Sequence, residues 1–413
     1  MLRELLALRE FRFFLAANIV ERFAAAAMTV LLGFQIFEIT GQTLFVGLLG
    51  LTEAIPGITL VLVGGDVADR HDRRAIMLRT TTLLALLAFV LAAVARVDPA
   101  ITLPALFAVA FFSAVVRAFE SPAATGLEAR VVPLHLVFRG VPVLATSART
   151  ADVLGPVIVG FAWAWAGPVA TYAGLGALFL LASTLLRVGV APKPPLAIAA
   201  SAVGPLERIM EGIGYVFRHQ MLWGSMALDL FAVFFGGVTA LLPYFATEVL
   251  GVGAEGFGVM RSAMAAGSLL AALLSTRLFP RRYAGIVLHA TIACFGVSII
   301  VFGMSRSVPL SLAALFCAGL CDGTSVVIRN AILRLASPEI LRGRIAAVKS
   351  VFVGSSNELG ALESGLAAAA IGAVPTVLVG GAITLIVVGL IAWRAPALRR
   401  LDLDRLAQTP VAT

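Results

Sequence analysis

Cysteine, histidine, tryptophan and tyrosine are all scarce in this 413-residue chain, at three, four, four and four copies, and charged side chains make up only 13% of it. Each shortage excludes something. Cys294, Cys317 and Cys321 lie in apolar runs, and two of them are four apart on one helix face, where a disulfide is geometrically poor; small, polarisable packing is the simpler account. His71, His135 and His219 fall in polar connecting segments and His289 stands alone, so no metal site follows. There is no Gly-x4-Gly-Lys-Ser/Thr loop, no histidine–carboxylate metal cluster and no Gly-x-Ser-x-Gly elbow, which argues against an enzyme and against a cofactor or ATP as energy source. The few Trp and Tyr do not define a stacking site, and the 26 phenylalanines read as lipid-facing or core.

What the chain has in excess is apolar length. It is 60% hydrophobic with a mean hydropathy of +1.00, which a soluble globular protein of this size does not sustain. At about twenty residues per crossing, twelve spans fit, near 13–37, 44–65, 75–95, 101–124, 141–165, 168–187, 223–247, 255–276, 284–304, 309–330, 346–370 and 375–393. Met1 to Phe14 carries Arg3, Glu4, Arg9, Glu10 and Arg12 and reads as a retained cytoplasmic amphipathic stretch and not a signal peptide. With both termini cytoplasmic, only Arg96 and Arg306 of the 31 lysines and arginines lie in loops on the other side, and Arg22, Arg117, Arg149, Arg261 and Arg329 fall within spans. That asymmetry sets the orientation by the positive-inside rule. It also accounts for the +8 charge without nucleic acid, since the basic residues face anionic lipid on one leaflet.

The organisation expected is an N-terminal six-helix half (1–187), a cytoplasmic linker with an interfacial helix (188–221), a C-terminal six-helix half (222–395) and a cytoplasmic tail (396–413). Pro192-Lys193-Pro194-Pro195 opens the linker as a stiff extended piece, and apolar residues recur at helical spacing from Pro205 to His219. The halves echo each other: Ser113-Ala-Val-Val-Arg117 in span four returns as Ser325-Val-Val-Ile-Arg329 in span ten.

Between spans two and three stands Gly64-Gly65-Asp66-Val67-Ala68-Asp69-Arg70-His71-Asp72-Arg73-Arg74, expected as an aqueous loop. Asp69 is acceptor-only and can face a helix N-terminus, the arginines can pair with carboxylates on neighbouring helix ends, and Gly64 and Gly65 allow close backbone approach. This pattern resembles the signature of the major facilitator superfamily, with Asp72 where a second glycine is usual. In span five, Ala151-Asp-Val-Leu-Gly155-Pro156-Val-Ile-Val159-Gly160 resembles that superfamily's antiporter signature, with Ala151 and Val159 in place of glycines. Leu241-Leu242-Pro243-Tyr244-Phe245-Ala246, Asp322-Gly-Thr-Ser325, Pro338-Glu-Ile-Leu-Arg342-Gly343-Arg344 and Ser356-Asn357-Glu358-Leu359-Gly360 further resemble the bacterial enterobactin-exporter branch. Glu21-Arg22 departs from the small polar residues usual at that point of span one. The resemblance implies an all-α membrane protein of twelve transmembrane helices in two pseudo-symmetric halves, in the bacterial inner membrane, exporting siderophores or hydrophobic drugs in exchange for protons.

Charges inside spans are the residues to watch, because each costs roughly 2.5–3.5 kcal/mol in hydrocarbon unless paired or hydrated. Glu53, Asp152, Arg149 and Glu358 lie near mid-membrane, Glu21, Arg22, Asp229 and Asp322 nearer the cytoplasm, and Glu363 deeper. Desolvation favours the neutral form of a carboxyl, the property a proton carrier needs, so Glu53, Asp229, Asp152 and Glu358 are expected in proton coupling. Pro56, less than a turn beyond Glu53, suggests a kink that could let that carboxyl meet water. Glu21, Arg22, Arg149, Asp322 and Arg117 are expected at the substrate cavity, although Arg149 and Asp152, three apart, could simply neutralise each other and Arg117 and Arg329 could snorkel to the interface. Gly65, Asp69, Arg70, Arg73 and Arg74 are expected as a cytoplasmic gate, and Gly155, Pro156 and Gly160 as a packing and bending site. Partners are then a small molecule, protons and lipid, with the protein acting as a monomer. Proton-coupled uptake and lipid scrambling or flipping remain the alternatives.

Overall fold

A chain in hydrocarbon must satisfy every backbone N–H and C=O internally, and the helix does so within one segment. The computed structural model describes residues 2–193, 205–278, 281–338 and 341–408, and all regular structure among them is helical. Span one is Arg9–Thr40. Span two is broken: Thr43–Thr59, with Pro56 inside it, is followed at a bend of 50° by the helix Val61–Arg70. Spans three and four are Arg73–Val94 and Pro99–Val131. Spans five and six share the 53-residue stretch Val137–Gly189, divided at Gly167, whose φ of 77° is open to glycine at little cost. Span seven begins as Gln220–Gly236 and runs through short turns to Val249. Spans eight to ten are Gly253–Leu278, Ala284–Met304 and Val308–Ala336. The 30-residue Arg342–Ile371 and then Ala373–Arg394 follow, joined at Gly372 with φ 91°; among the described residues nine helices, or ten with the bent pair of span two, are long and apolar enough to cross a membrane, with Arg139–Gly189 counted once. Leu86, Trp165, Ile386 and Trp393 stand well exposed, as side chains facing lipid do.

The chain divides into two units. The first comprises Met1–Gly41, Leu51–Ala199 and Gly251–Ser262. One of its apolar clusters gathers Phe11 and Phe14 of span one, Met77, Leu127 and Leu186, with Leu5 of the short preceding helix Leu2–Ala7 also buried there. Towards the other end of span one, Tyr172 is fully buried and donates to Gln35 Oε1 at 2.8 Å, while Trp163 meets both Phe34 and Tyr172 edge-on.

The second unit comprises Gln42–Gly50, Ala200–Leu250 and Ala263–Thr413. Its core includes Leu222, Leu228, Leu288, Ile292, Ile328 and Ile332. The linker helix exists as Pro205–Arg218. Part of its apolar face is spent on protein: Val216 is buried and the Tyr215 hydroxyl donates to Ala336 O at 3.2 Å, leaving Met210 and Phe217 outward. Pro194 and Pro195 lie outside the described residues. The segment after span twelve is docked, since Leu398, Leu401 and Leu403 are buried and the Leu403 N–H donates to Arg281 O at 2.9 Å.

Candidate functional site

In the first unit the buried charges converge on span four. Arg117 donates from Nη2 to Glu53 Oε1 of span two at 2.6 Å and from Nη1 to Thr29 Oγ1 of span one at 3.0 Å. Glu53 is 9% exposed and its carboxyl is paired with an arginine; the bend falls beyond it, after Thr59. One turn along span four, Glu120 is buried beside the buried Glu21 of span one. Arg22 and Arg117 are the cations that face this carboxyl pair. Arg22 is itself exposed and also stands near Glu128 and Asp152. Glu120 was not anticipated. The signal that could have found it is its place three residues after Arg117, on the same helix face.

The second unit makes a tighter version. Arg329 of span ten pairs with Asp229 of span seven through Nη1, its Nε donates to Ser325 Oγ at 3.1 Å, and its Nη2 stands 4.0 Å from Asp322. Arg329 is only 6% exposed, which rules out snorkelling. Lys349 of span eleven donates to Asn330 and lies near both Arg329 and Asp229. The sequence reading did not single it out. Asp229 borders two small cavities, one of about 20 Å³ with Ser225, Arg329, Lys349 and Ser356, the other of about 10 Å³ with Asp322 and Ser325. The first has room for about one water. The repeated Ser-x3-Arg sequence thus takes different partners in the two units: Ser325 accepts from Arg329, whereas Ser113 Oγ is buried with no hydrogen-bond partner because Arg117 has turned to Glu53 and Thr29.

The segment expected as a loop is helical through Arg70; only His71 and Asp72 connect it to span three. A run of glycine and charge can continue a helix when its partners lie one turn away, as Arg70 and Asp66 do at 2.9 Å; the Arg73–Asp69 pair, at 3.0 Å, bridges the connection to span three. Arg73 also donates to Ala68 O and, at 3.0 Å, to Gly126 O near the end of span four. Arg74 donates to Arg187 O at 2.7 Å, at the end of span six. The residue facing a helix N-terminus is Asp72 and not Asp69, which pairs with Arg73; Asp72 Oδ1 accepts from Arg74 N at 2.9 Å and from Lys193 N at 3.2 Å. Lys193 in turn reaches Glu10 at 2.7 Å. Close approach belongs to Gly64 alone, where a Cβ would lie 2.1 Å from Ala118 O; Gly65 faces open space.

Asp152 is half-buried and faced by Arg149 and, beyond its own helix, by Arg22 and Arg261, so it belongs to a wider cluster than the Arg149–Asp152 pair. Gly155 packs on Phe23 O of span one, and Gly160 on Ala254 O, while Pro156 O faces Gly258; Pro156 itself continues within the helix. Glu358 sits on span eleven where that helix meets Gly50 at backbone contact.

Arginine–carboxylate pairs inside helices of membrane length are the charged groups that pathways through membrane proteins are built from. The chain matches, over residues 5–411, the family described as transmembrane secretion effector, and it belongs to that family of the major facilitator superfamily. Among its relatives, the multidrug efflux pump Tap of Mycobacterium tuberculosis is 28% identical over 262 residues, which is 61% of this chain and 60% of the pump, so the match spans about three-fifths of that relative. The enterobactin exporter EntS of Shigella boydii is 26% identical over 326 residues, 77% of this chain and 72% of the exporter. Solved structures share the fold at low identity. A variant of the nucleoside transporter NupG superposes with a TM-score of 0.77 at 12% identity, covering 93% of this chain and 99% of that one. A bacterial homologue of the human lysosomal transporter Spinster, inward-facing and unoccupied, gives 0.72 at 15%, covering 97% and 99%.

Proposed function

We propose that this protein exports a small amphipathic compound, a siderophore or hydrophobic drug, from the cytoplasm across the bacterial inner membrane in exchange for protons. The observation that carries this reading is that each unit pairs an arginine of its repeated span, the one-third-exposed Arg117 or the buried Arg329, with a buried carboxylate of another span. Such pairs are costly in a low-dielectric setting and gain little stability over apolar packing, so their presence points to use. Protonating Glu53 or Asp229 removes the acceptor charge and frees the arginine for another partner, and this links proton binding to a change of helix contacts. Asp152 and Glu358 are the secondary proton candidates. Glu21, Arg22, Arg149, Asp322 and Arg117 present charge to substrate, and Asp69, Arg70, Arg73 and Arg74, with Gly65, hold the cytoplasmic ends of the helices until the exchange occurs.

Export is supported because one matched relative, Tap, is named an efflux pump and another, EntS, an exporter. The test is accumulation in energised inside-out membrane vesicles. Under this reading vesicles containing the protein accumulate a lipophilic cation or a catecholate siderophore, and a protonophore abolishes the accumulation. Accumulation only in right-side-out vesicles would establish uptake instead.

A further inference from the structure

We propose that a groove between spans seven and eleven, bearing Glu363, binds the bulky lipophilic cation that the protein exports. This names the substrate class of the export reading above and rests on it. The groove lies within the second unit, holds about 610 Å³, and is walled by Phe234 of span seven and by Leu359, Leu362, Glu363, Leu366 and Ala367 of span eleven. Its origin is local. A Cβ at Gly360 would lie 3.0 Å from the Phe234 Cα, so the two helices meet at their backbones there. One turn on, Ser364 Oγ donates to Gly237 O at 3.2 Å, just past the end of the helix at Gly236. Because glycine and serine make this contact, the larger side chains beside it wall a space and do not fill it. Leu359, Leu362, Glu363 and Leu366 recur at i, i+3, i+4 and i+7, which sets them on one face of span eleven.

Pockets for drug-sized molecules hold about 300–1,000 Å³, are mostly apolar and carry a few polar groups that fix orientation. In this groove the ionisable group among the described residues is Glu363. It stands about two turns, or 12 Å, before the end of span eleven at Ile371, a depth at which a charge needs a partner. Among the described residues no cation pairs with it. The hydrogen bond it accepts, from Ser364 Oγ at 3.4 Å, shares the single hydroxyl proton already directed at Gly237 O. Arg329 and Lys349, the cations of this unit's network, line a different cavity. An unpaired carboxylate in an apolar groove selects a positive head on a bulky apolar body: the head supplies the missing charge, the body covers the leucines, and the Phe234 ring adds a face to which cations are attracted. A catecholate siderophore brings negative charge to the same carboxylate and is disfavoured. The groove thus separates the two compound classes that the export reading joins.

The test is equilibrium dialysis of tetraphenylphosphonium against the purified full-length protein in detergent, reading the saturable binding above protein-free micelles. Tetraphenylborate, an anion of the same shape, is the control. The cation is expected to bind saturably and the anion not. Glu363→Gln should weaken cation binding by about tenfold, the scale of one charge-assisted contact, while Glu363→Asp keeps most of it. Leu366→Trp fills the groove from a position 52% exposed, so it should weaken cation binding and leave the melting temperature unchanged. Wild-type affinity for the cation in Glu363→Gln or in Leu366→Trp, tetraphenylborate bound as tightly as the cation, or no saturable binding by the folded wild type would each overturn the assignment. If Glu363→Gln fails to fold, Leu366→Trp and the comparison of the two ions decide. Dialysis needs neither gradient nor transport, so a failed site leaves siderophore export to the vesicle experiment, and failed export leaves cation binding in place.

Discussion

Asp229→Ala is the substitution that tests the buried charge network of the second unit most severely. Removing the carboxylate strands Arg329, which is 6% exposed, with Ser325 Oγ at 3.1 Å and Asp322 at 4.0 Å as its remaining partners. Breaking one side of a buried ion pair costs about 3–5 kcal/mol, and Asp322, partly exposed and already close, should recover some of it, which places the expected loss near the lower end. For a folding unit of this size, each kcal/mol moves the melting temperature by roughly 2–4 °C, so a fall of about 10 °C is expected. The assay is thermal unfolding of the detergent-solubilised protein followed by tryptophan fluorescence. Asp229→Leu combined with Arg329→Met removes both charges and keeps apolar volume, so it should melt well above Asp229→Ala. Glu53→Ala makes a useful contrast: Arg117 is 33% exposed and keeps Thr29, so the loss is expected to be smaller, roughly 1–3 kcal/mol. Asp229→Ala melting with the wild type, or a double variant that loses the sum of both single losses, would show that Asp229 and Arg329 do not act as a unit.

Three further outcomes follow from the helix ends of the first unit. Gly64→Ala puts a Cβ where Ala118 O stands 2.1 Å away, so it should cost about 1–3 kcal/mol and lower the yield of folded protein, whereas Gly65→Ala, facing open space, should leave both unchanged in the same expression and melting assay. Asp72→Ala removes the N-cap of span three and should destabilise by about 1 kcal/mol, read as a melting shift of a few degrees. Glu10→Gln weakens the contact with Lys193, and limited proteolysis should then cut the linker faster than in wild type; an unchanged rate would mean that this contact does not hold the linker's start.

The spans were legible because membrane crossing demands length and apolar composition, and both are local. Even the division of Val137–Gly189 at Gly167 falls between the spans read near 141–165 and 168–187. The charged segment after span two was misread as a loop because glycine and charge usually mark one; it is helical through Arg70, with Asp66 and Arg70 paired one turn apart, while the Asp69–Arg73 pair crosses the two connecting residues. The buried charges were found residue by residue, but their partners were not. Helical spacing orders residues on one helix and says nothing about which neighbour a long side chain reaches. Arg117 had Glu21, Glu53 and Glu120 within its range and took Glu53, while the related Arg329 took a residue of the seventh span. Glu120 went unremarked: it lies four residues from the expected end of span four, whereas the helix runs on to Val131 and Glu120 is buried within it.

The central claim is proton-coupled transport, and the most direct measurement of it uses the purified protein in liposomes with an internal pH dye, an imposed proton gradient and a panel of siderophores and lipophilic cations added one at a time. The account predicts proton flux that appears only with one class of compound and disappears in Glu53→Gln or Asp229→Asn. Absence of compound-dependent flux across the panel, with lipid reorientation in its place, would contradict it and make the protein a scramblase.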